Sequence, residues 1–415
     1  FEAISSSQLP AQVLAGHFDT YNLHSLENKL KNAAALGAHA GWLVFPLLSL
    51  VAFLRRPFWE LAIVPLVLWV DPNPLFWASL LAGIVLIARM VALRRDFLAA
   101  WIAVFFAAAL FLFFAGAARY LLPIAAPAAM VITAHLQGRT RLLAAGFAVQ
   151  CALSIVLALV NYQHWDGYRG AIRRYARDWK GKRVWVNGEW GLRFYAESAG
   201  ALPLVRGQAV RPGDMVLSSR LALPVPFTTG GGVLSPLDQA YITSALPLRL
   251  IGLDSKSAYS TASSGFRPFG ISTAPIDVLK LETVAARPPA LSYLPMNAPE
   301  AASQIVSGID SLEDNRFRWM AGRAVVLLKR PDTALPLELE LFIPDVAPAR
   351  KVSVTIDGLS AAEATYPSPG AYRLVSSPQP AGTGAVTVVI EVDRTFSVPG
   401  DHRALGVILT GVGFR

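Results

Sequence analysis

Apolar residues dominate the chain from Ala33 to Val160, broken at intervals by short arginine clusters and by prolines. Crossing about 30 Å of hydrocarbon takes about 20 such residues as helix. The pattern therefore predicts membrane helices over 33–54, 58–70, 75–93, 97–117, 120–136 and 142–161. The second run has only about 13 residues and must be tilted or shielded by its neighbours. Ahead of the first run lies a polar stretch, 1–32, ending in a short interfacial helix from Leu26 to Asn32 that Ser25 is placed to cap.

After Asn161 the periodicity changes. Residues 166–180 read as a basic amphipathic helix. A strand at 183–187 follows, then a helix from Trp190 to Ser198 stopped by Gly200, and strands at 214–218 and 248–253. Together they predict a small α/β domain over 162–295. From 300 to 415, strictly alternating segments at 323–328, 336–343, 351–356, 385–392 and 404–409, separated by Pro, Gly and Asp turns, predict an antiparallel β-sandwich.

The arginines orient this array. Arg55 and Arg56, Arg94 and Arg95, and Arg139 and Arg141 occupy alternate loops, whereas the intervening loops hold Asp71-Pro72-Asn73-Pro74 and the single Arg119. Positive charge is retained on the cytoplasmic side. With six crossings, residues 1–32 and 162–415 both fall outside. The expected fold class is thus a multi-pass α-helical membrane domain followed by an extracytoplasmic α/β domain and an antiparallel β-sandwich. Trp42, Trp59, Trp69, Trp77, Tyr120, Tyr162 and Trp165 fall near span ends, where aromatic rings favour the headgroup zone.

Composition narrows the function classes. A hydrophobic content of 54% with 16% charged residues is far from a soluble enzyme. The net charge of +9 is spread over the chain without a basic block, so no nucleic-acid partner is expected. Cys151 is the only cysteine and forms no intrachain disulfide. No HExxH, CxxC, GxSxG or Walker pattern occurs, so neither a metal nor a cofactor is expected. The Gly-rich stretch 226–237 lacks the Lys and helix of a phosphate cradle and reads as a surface loop. Trp319, the one Trp of the terminal module, is no sugar-stacking platform by itself. Phe1 is not preceded by a start or signal pattern, and the chain reads as part of a longer protein.

Candidate chemistry gathers on the outer side. Arg119 heads a span broken by Pro123 and Pro127, with no acid near it in sequence. A guanidinium there can grip a phosphate through paired hydrogen bonds, or reach lipid headgroups. Lys29 and Lys31 in the leading segment have the same two options.

Several segments together resemble the C-terminal half of GT-C membrane glycosyltransferases, in particular bacterial members such as the dolichyl-phosphate-mannose protein mannosyltransferases and the lipid A aminoarabinose transferase. They are Lys29-Leu30-Lys31-Asn32-Ala33-Ala34-Ala35-Leu36-Gly37, Arg119-Tyr120-Leu121-Leu122-Pro123 through Pro127, and the outer tail. Weaker matches are Gly188 to Tyr195 and Asp401 to Val407. The resemblance implies a bacterial inner-membrane enzyme that moves a sugar from a polyprenyl-phosphate donor to a glycan, lipid or protein acceptor outside the cytoplasm. Arg119 would hold the donor phosphate with Lys29 or Lys31, and Tyr120 and His24 would line the substrate. The acid that takes the acceptor proton belongs to an upstream half in that family. Asp19 and Glu27 do not match its motif, so the catalytic residue is unknown. The alternative class is a non-enzymatic envelope protein whose helices anchor a carbohydrate- or protein-binding tail. A transporter would place ionisable groups near the midplane, where these spans have almost none.

Overall fold

The computed structural model describes residues 25–53, 71–93, 97–113, 115–257, 265–398, 401 and 403–415. The expected span at 58–70 lies outside them. Two compact units are formed, one by the chain up to Gly167 together with Ile242–Asp277, the other by Tyr168–Tyr241 together with Val278–Arg415.

The first unit is helical. Its elements are α1 (Leu26–Ala40), α2 (Leu48–Phe53), α3 (Pro74–Leu93), α4 (Phe97–Phe111), a 3-10 turn (Ala118–Leu121), α5 (Leu122–His135) and α6 (Thr140–Tyr175). Ser25 does cap α1, its hydroxyl accepting from the Asn28 amide at 3.3 Å, but the helix runs on to Ala40. The expected span 33–54 is therefore not one helix. Pro46 disfavours the helical region for the residue before it, and Phe45 and Leu47 take φ of 46° and 59°, which turns the chain between α1 and α2. Small residues bring α1 against α3: a Cβ on Gly83 would lie 1.8 Å from the Gly37 carbonyl oxygen, and one on Gly41 would lie 2.4 Å from that of Ser79.

Among the described residues one helix, α6, is long and apolar enough to cross a membrane; α4 and the first 15 residues of α3 are shorter apolar stretches. At 36 residues α6 measures about 54 Å, and Leu142 to Trp165 contain no Asp, Glu, Lys or Arg. The basic segment expected as a separate helix at 166–180 instead continues α6 to Tyr175, because no Pro or Gly-cap signal interrupts the helix before Gly181. Phe97, Val104, Met130, Phe147 and Ile155 leave large apolar side chains exposed on α4, α5 and α6.

Polar backbone groups in this unit find side-chain donors. Pro127, inside α5, has no N–H for the carbonyl of Pro123 four residues earlier, and the Trp101 indole on α4 donates to that oxygen at 2.9 Å. In the segment 242–277 the buried Arg249 guanidinium donates to Ser244 Oγ and to the carbonyls of Leu246, Leu248 and Ala274, at 2.6 to 3.0 Å. The segment is tied to the helices by Arg267, which holds both carboxylate oxygens of the nearly enclosed Asp71 at 2.9 Å, and by Phe269 against Trp42, 4.9 Å between ring centres. Burial alone would raise the Asp71 carboxyl, but the Arg267 hydrogen bond and the Asn73 amide outweigh it and hold the group below its ordinary value.

Among the described residues the second unit holds two sheets. The first orders β2 (Leu202–Pro203), β1 (Val184–Asn187), β3 (Met215–Ser219), β7 (Asp277–Ala286) and β4 (Gly232–Ile242). β1 runs parallel to β2 and β3, with α7 (Trp190–Ser198) as the β1–β2 connection, and Gly200 at φ 93° follows its end as expected. Of the Gly-rich stretch expected as a surface loop at 226–237, residues 226–231 are a loop, partly buried, in which Gly230 packs against the Val210 carbonyl, and 232–237 instead begin β4. A two-stranded ladder, β5 (Leu248–Arg249) with β6 (Gly270–Ile271), belongs to the segment 242–277 of the first unit.

The terminal module contains β8 (Tyr293–Pro295), α8 (Ala301–Gln304), β9 (Ile305–Glu313), β10 (Phe317–Lys329), β11 (Leu335–Ile343), β12 (Arg350–Ile356), β13 (Leu359–Tyr366), β14 (Gly370–Gln379), β15 (Ala385–Val392) and β16 (Ile408–Phe414). It is antiparallel, as expected, but its nine strands form one sheet in the order β13-β12-β15-β10-β16-β11-β14, with β9 on β10 and β8 on β16. The edge strands β13 and β14 return to each other through the Tyr366 and Tyr372 rings, 4.3 Å apart, so the sheet is nearly closed into a barrel rather than split into two layers. The strand expected at 404–409 lies at Ile408–Phe414; Arg403 instead pins its segment to Asp310, Glu313 and Asp401.

Two measurements check these contacts. Trp101→Phe removes the side-chain donor to the exposed Pro123 carbonyl and is expected to cost about 0.5–1.5 kcal/mol in an unfolding titration; in a Pro127→Ala background, where the helix supplies its own N–H, the same substitution is expected to be nearly neutral. Asp71→Asn breaks a nearly enclosed pair and is expected to cost about 3 kcal/mol. Because the folded carboxyl sits below the ordinary 3.8, the contribution of Asp71 is complete above that pH and is lost as pH falls through the lower folded value. Wild type is thus expected to lose stability below about pH 4 more steeply than Asp71→Asn.

Candidate functional site

The candidate site is built from the C-terminal end of α4 onward. A helix ends with four carbonyls that have no partner inside it. Lys29 on α1 donates to two of them, Phe111 O at 2.9 Å and Leu110 O at 3.2 Å, and its ammonium lies 5.9 Å from the Phe111 ring centre. Burial pulls this ammonium below its ordinary value. The chain then crosses α1: the Gly116 amide donates to Asn32 Oδ1 at 2.8 Å, and Asn32 Nδ2 donates to Asn28 Oδ1 at 2.9 Å. Gly116 has no room for a side chain, since a Cβ would sit 2.9 Å from the Asn32 carbonyl oxygen.

The 3-10 turn follows at once and sorts its residues by face. Leu121 is fully buried in the helical core, while Arg119 is exposed. Tyr120, half-buried, stacks on Phe113 with centroids 4.0 Å apart and planes 13° from parallel. Its hydroxyl accepts from Arg119 Nη2 at 3.1 Å, and the guanidinium carbon lies 5.1 Å from the ring centre. Pro123 occupies the first turn of α5, where its missing N–H costs nothing. Among the described residues no carboxylate lies within ion-pair distance of Arg119. The sequence Arg-Tyr-Leu-Leu-Pro thus encodes an outward cation, an aromatic prop, a core anchor and a helix start.

Of the residues expected to form a phosphate site, Lys29, Arg119 and Tyr120 gather around α1, the end of α4 and the 3-10 turn, with Lys29 directed to carbonyls. Lys31 is exposed and pairs with Glu27 at 2.5 Å; its hydrogen bond and charge hold the Glu27 carboxyl below the ordinary range. His24 and Asp19 lie outside the described residues. No group of three His, Cys, Asp or Glu able to hold a metal occurs among the described residues. Phe113 and Gly116 carry no signal in the sequence, where Asn32 figures only as part of the Lys29 to Gly37 segment. Only Asn32, a polar residue entering an apolar run, left a signal there.

In the second unit, the Gly188 to Tyr195 segment closes β1 and starts α7, where Arg193 is bracketed by Glu189 and Glu197 at 2.9 and 2.7 Å. These are structural i,i+4 pairs on an exposed helix face.

No family model and no curated protein matches the chain. Solved structures that share part of its path include a glycoside hydrolase family 43 arabinoxylan arabinofuranohydrolase from Bacillus subtilis, 11% identical over 37% of this chain and 32% of that one, with a TM-score of 0.22. The chain therefore spans about a third of that enzyme's length. Carbohydrate-binding module CBM36 in complex with calcium and xylotriose is 8% identical over 30% of this chain and 100% of its own, with a TM-score of 0.20. A β-1,3-glucan-binding CBM6 from Bacillus halodurans is 14% identical over 30% and 96%, with a TM-score of 0.21. At such scores the likeness carries no argument about fold or activity.

Proposed function

We propose that the chain is the C-terminal portion of an integral-membrane glycosyltransferase that moves a sugar from a polyprenyl-phosphate donor to an acceptor on the extracytoplasmic face. The observation that carries this reading is Arg119: an exposed guanidinium with no carboxylate partner among the described residues, propped by Tyr120 at the head of a helix. When the anomeric carbon is attacked, charge develops on the departing phosphate, and a preorganised cation there lowers the barrier. The Arg119 guanidinium offers two parallel donors to phosphate oxygens, and Tyr120 fixes its direction. Lys29 positions the turn that carries Arg119. The general base lies elsewhere in the full-length protein.

The multi-pass arrangement belongs to the same proposal. Exposed Phe97, Met130, Phe147 and Ile155 on α4 to α6 suit a lipid environment and are costly in water. The Asp71 loop and residues of the later segment meet through Arg267, which agrees with both lying on the outer side.

Transfer of labelled sugar from polyprenyl-phosphate donors, measured in membranes containing the full-length protein, tests the role of Arg119. Arg119→Ala is expected to lower the rate by about 100-fold or more, with partial recovery in Arg119→Lys. Full activity in both variants removes Arg119 from the site, and no transfer by wild type with any donor shifts the reading to an anchored envelope-binding protein. Sidedness is checked in a Cys151→Ala background with a membrane-impermeant thiol reagent added outside. Ala118→Cys is expected to be labelled and Gln137→Cys to be protected, and the opposite result reverses the topology.

A further inference from the structure

β11 alternates with the period of two of a half-buried strand. Leu337, Leu339, Leu341 and Ile343 enter the barrel core, and Glu338, Glu340 and Phe342 take the outward register. Phe342 is the only aromatic of the outward set and stays 38% exposed, so its ring does not serve the core. Its partners on the adjacent strands are Ala371 on β14 and Ile408 on β16. A methyl group on one flank leaves the ring uncovered, and a cleft of about 600 Å³ opens there, walled also by Phe317. That volume falls within the ~300–1,000 Å³ of small-ligand sites, which are mostly apolar with a few fixed polar groups.

The polar groups of the cleft are held in place. Glu340 accepts from the Tyr293 hydroxyl at 2.9 Å and from Arg415, whose guanidinium lies 4.3 Å from the Tyr293 ring centre. Glu338 in turn accepts from Arg373 and from Arg415. Burial and the bond to Glu340 push the Tyr293 phenol up to about 12, so it remains a donor at neutral pH. Within this network two carboxylates and two guanidiniums balance. Thr410 and the exposed Arg316 complete the rim, and Arg316 has no carboxylate within ion-pair distance among the described residues, which leaves the cleft with one uncompensated positive charge.

We propose that this cleft binds a saccharide bearing a carboxylate: the apolar face of a pyranose ring rests on Phe342, its hydroxyls meet Glu340, Arg373 and Thr410, and its carboxylate meets Arg316. Every wall comes from the barrel's own strands and turns, so the proposal stands apart from the transferase reading and from Arg119.

The test uses the purified full chain in detergent, titrated calorimetrically with an oligomer of hexuronic acid and with a neutral hexose oligomer of equal length. Wild type is expected to bind the hexuronic oligomer more tightly than the neutral one. Phe342→Ala is expected to weaken that binding by about tenfold or more, Phe342→Trp to retain it, and Arg316→Ala to bring the two ligands close to parity. Thermal unfolding of Phe342→Ala like wild type shows that the loss is not one of folding. Binding of neither oligomer by wild type, or unchanged binding by Phe342→Ala, overturns the proposal. So does a self-association of wild type that Phe342→Ala abolishes while no saccharide binds.

Discussion

The carbonyl end of α4 is closed by a cation from another helix, and the position of the candidate site follows from that contact. Lys29 donates to the carbonyls of Leu110 and Phe111, which have no partner inside the helix. Past the end of α4 the chain packs against α1 at Gly116, where Asn32 and Ala35 leave no room for a side chain. The 3-10 turn that follows places Leu121 in the core and Arg119 outward.

The same requirement, that every carbonyl withdrawn from its ladder find a donor, recurs through both units. Trp101 serves the carbonyl that Pro127 frees. Arg249 gathers three carbonyls and a hydroxyl in one segment. In the barrel, the fully buried Arg350 donates to the Gly406 and Pro348 carbonyls, its guanidinium 5.1 Å from the Phe396 ring centre. A guanidinium suits this work because its five N–H groups fan out in a plane, so one side chain can reach several loop carbonyls. Arg119 has the same chemistry, but among the described residues its guanidinium meets only the Tyr120 side chain, and that contrast separates it from the structural arginines.

Much of the secondary structure was legible from local pattern. The Ser25 cap, the stop at Gly200 and the strict alternation of β11, β12 and β15 all express short-range rules, and each element stands close to where those rules place it. β13 and β14 were not legible, because Leu359–Tyr366 is rich in alanine and largely exposed, and Gly370–Gln379 mixes polar and apolar residues without a clean period. The run 33–54 was misread as one helix because hydropathy sums apolarity and ignores the backbone restriction at Pro46. Of the candidate site, Arg119 and Tyr120 stood out as an outer cation and an aromatic beside prolines, whereas Gly116 and Phe113 have meaning only through partners far along the chain.

By itself the sequence determined the approximate place of many helices and strands, and which positions of β11, β12 and β15 face a core. Those properties depend on residues a few positions apart, so they can be read from spacing. Only the tertiary structure decided that Lys29 faces carbonyls, that Asp71 meets Arg267, that the strands close almost into a barrel, and that Phe342 stands beside a cleft. Each of these depends on which distant residues come within a few ångströms, and hydrogen bonds and ion pairs act only at that range.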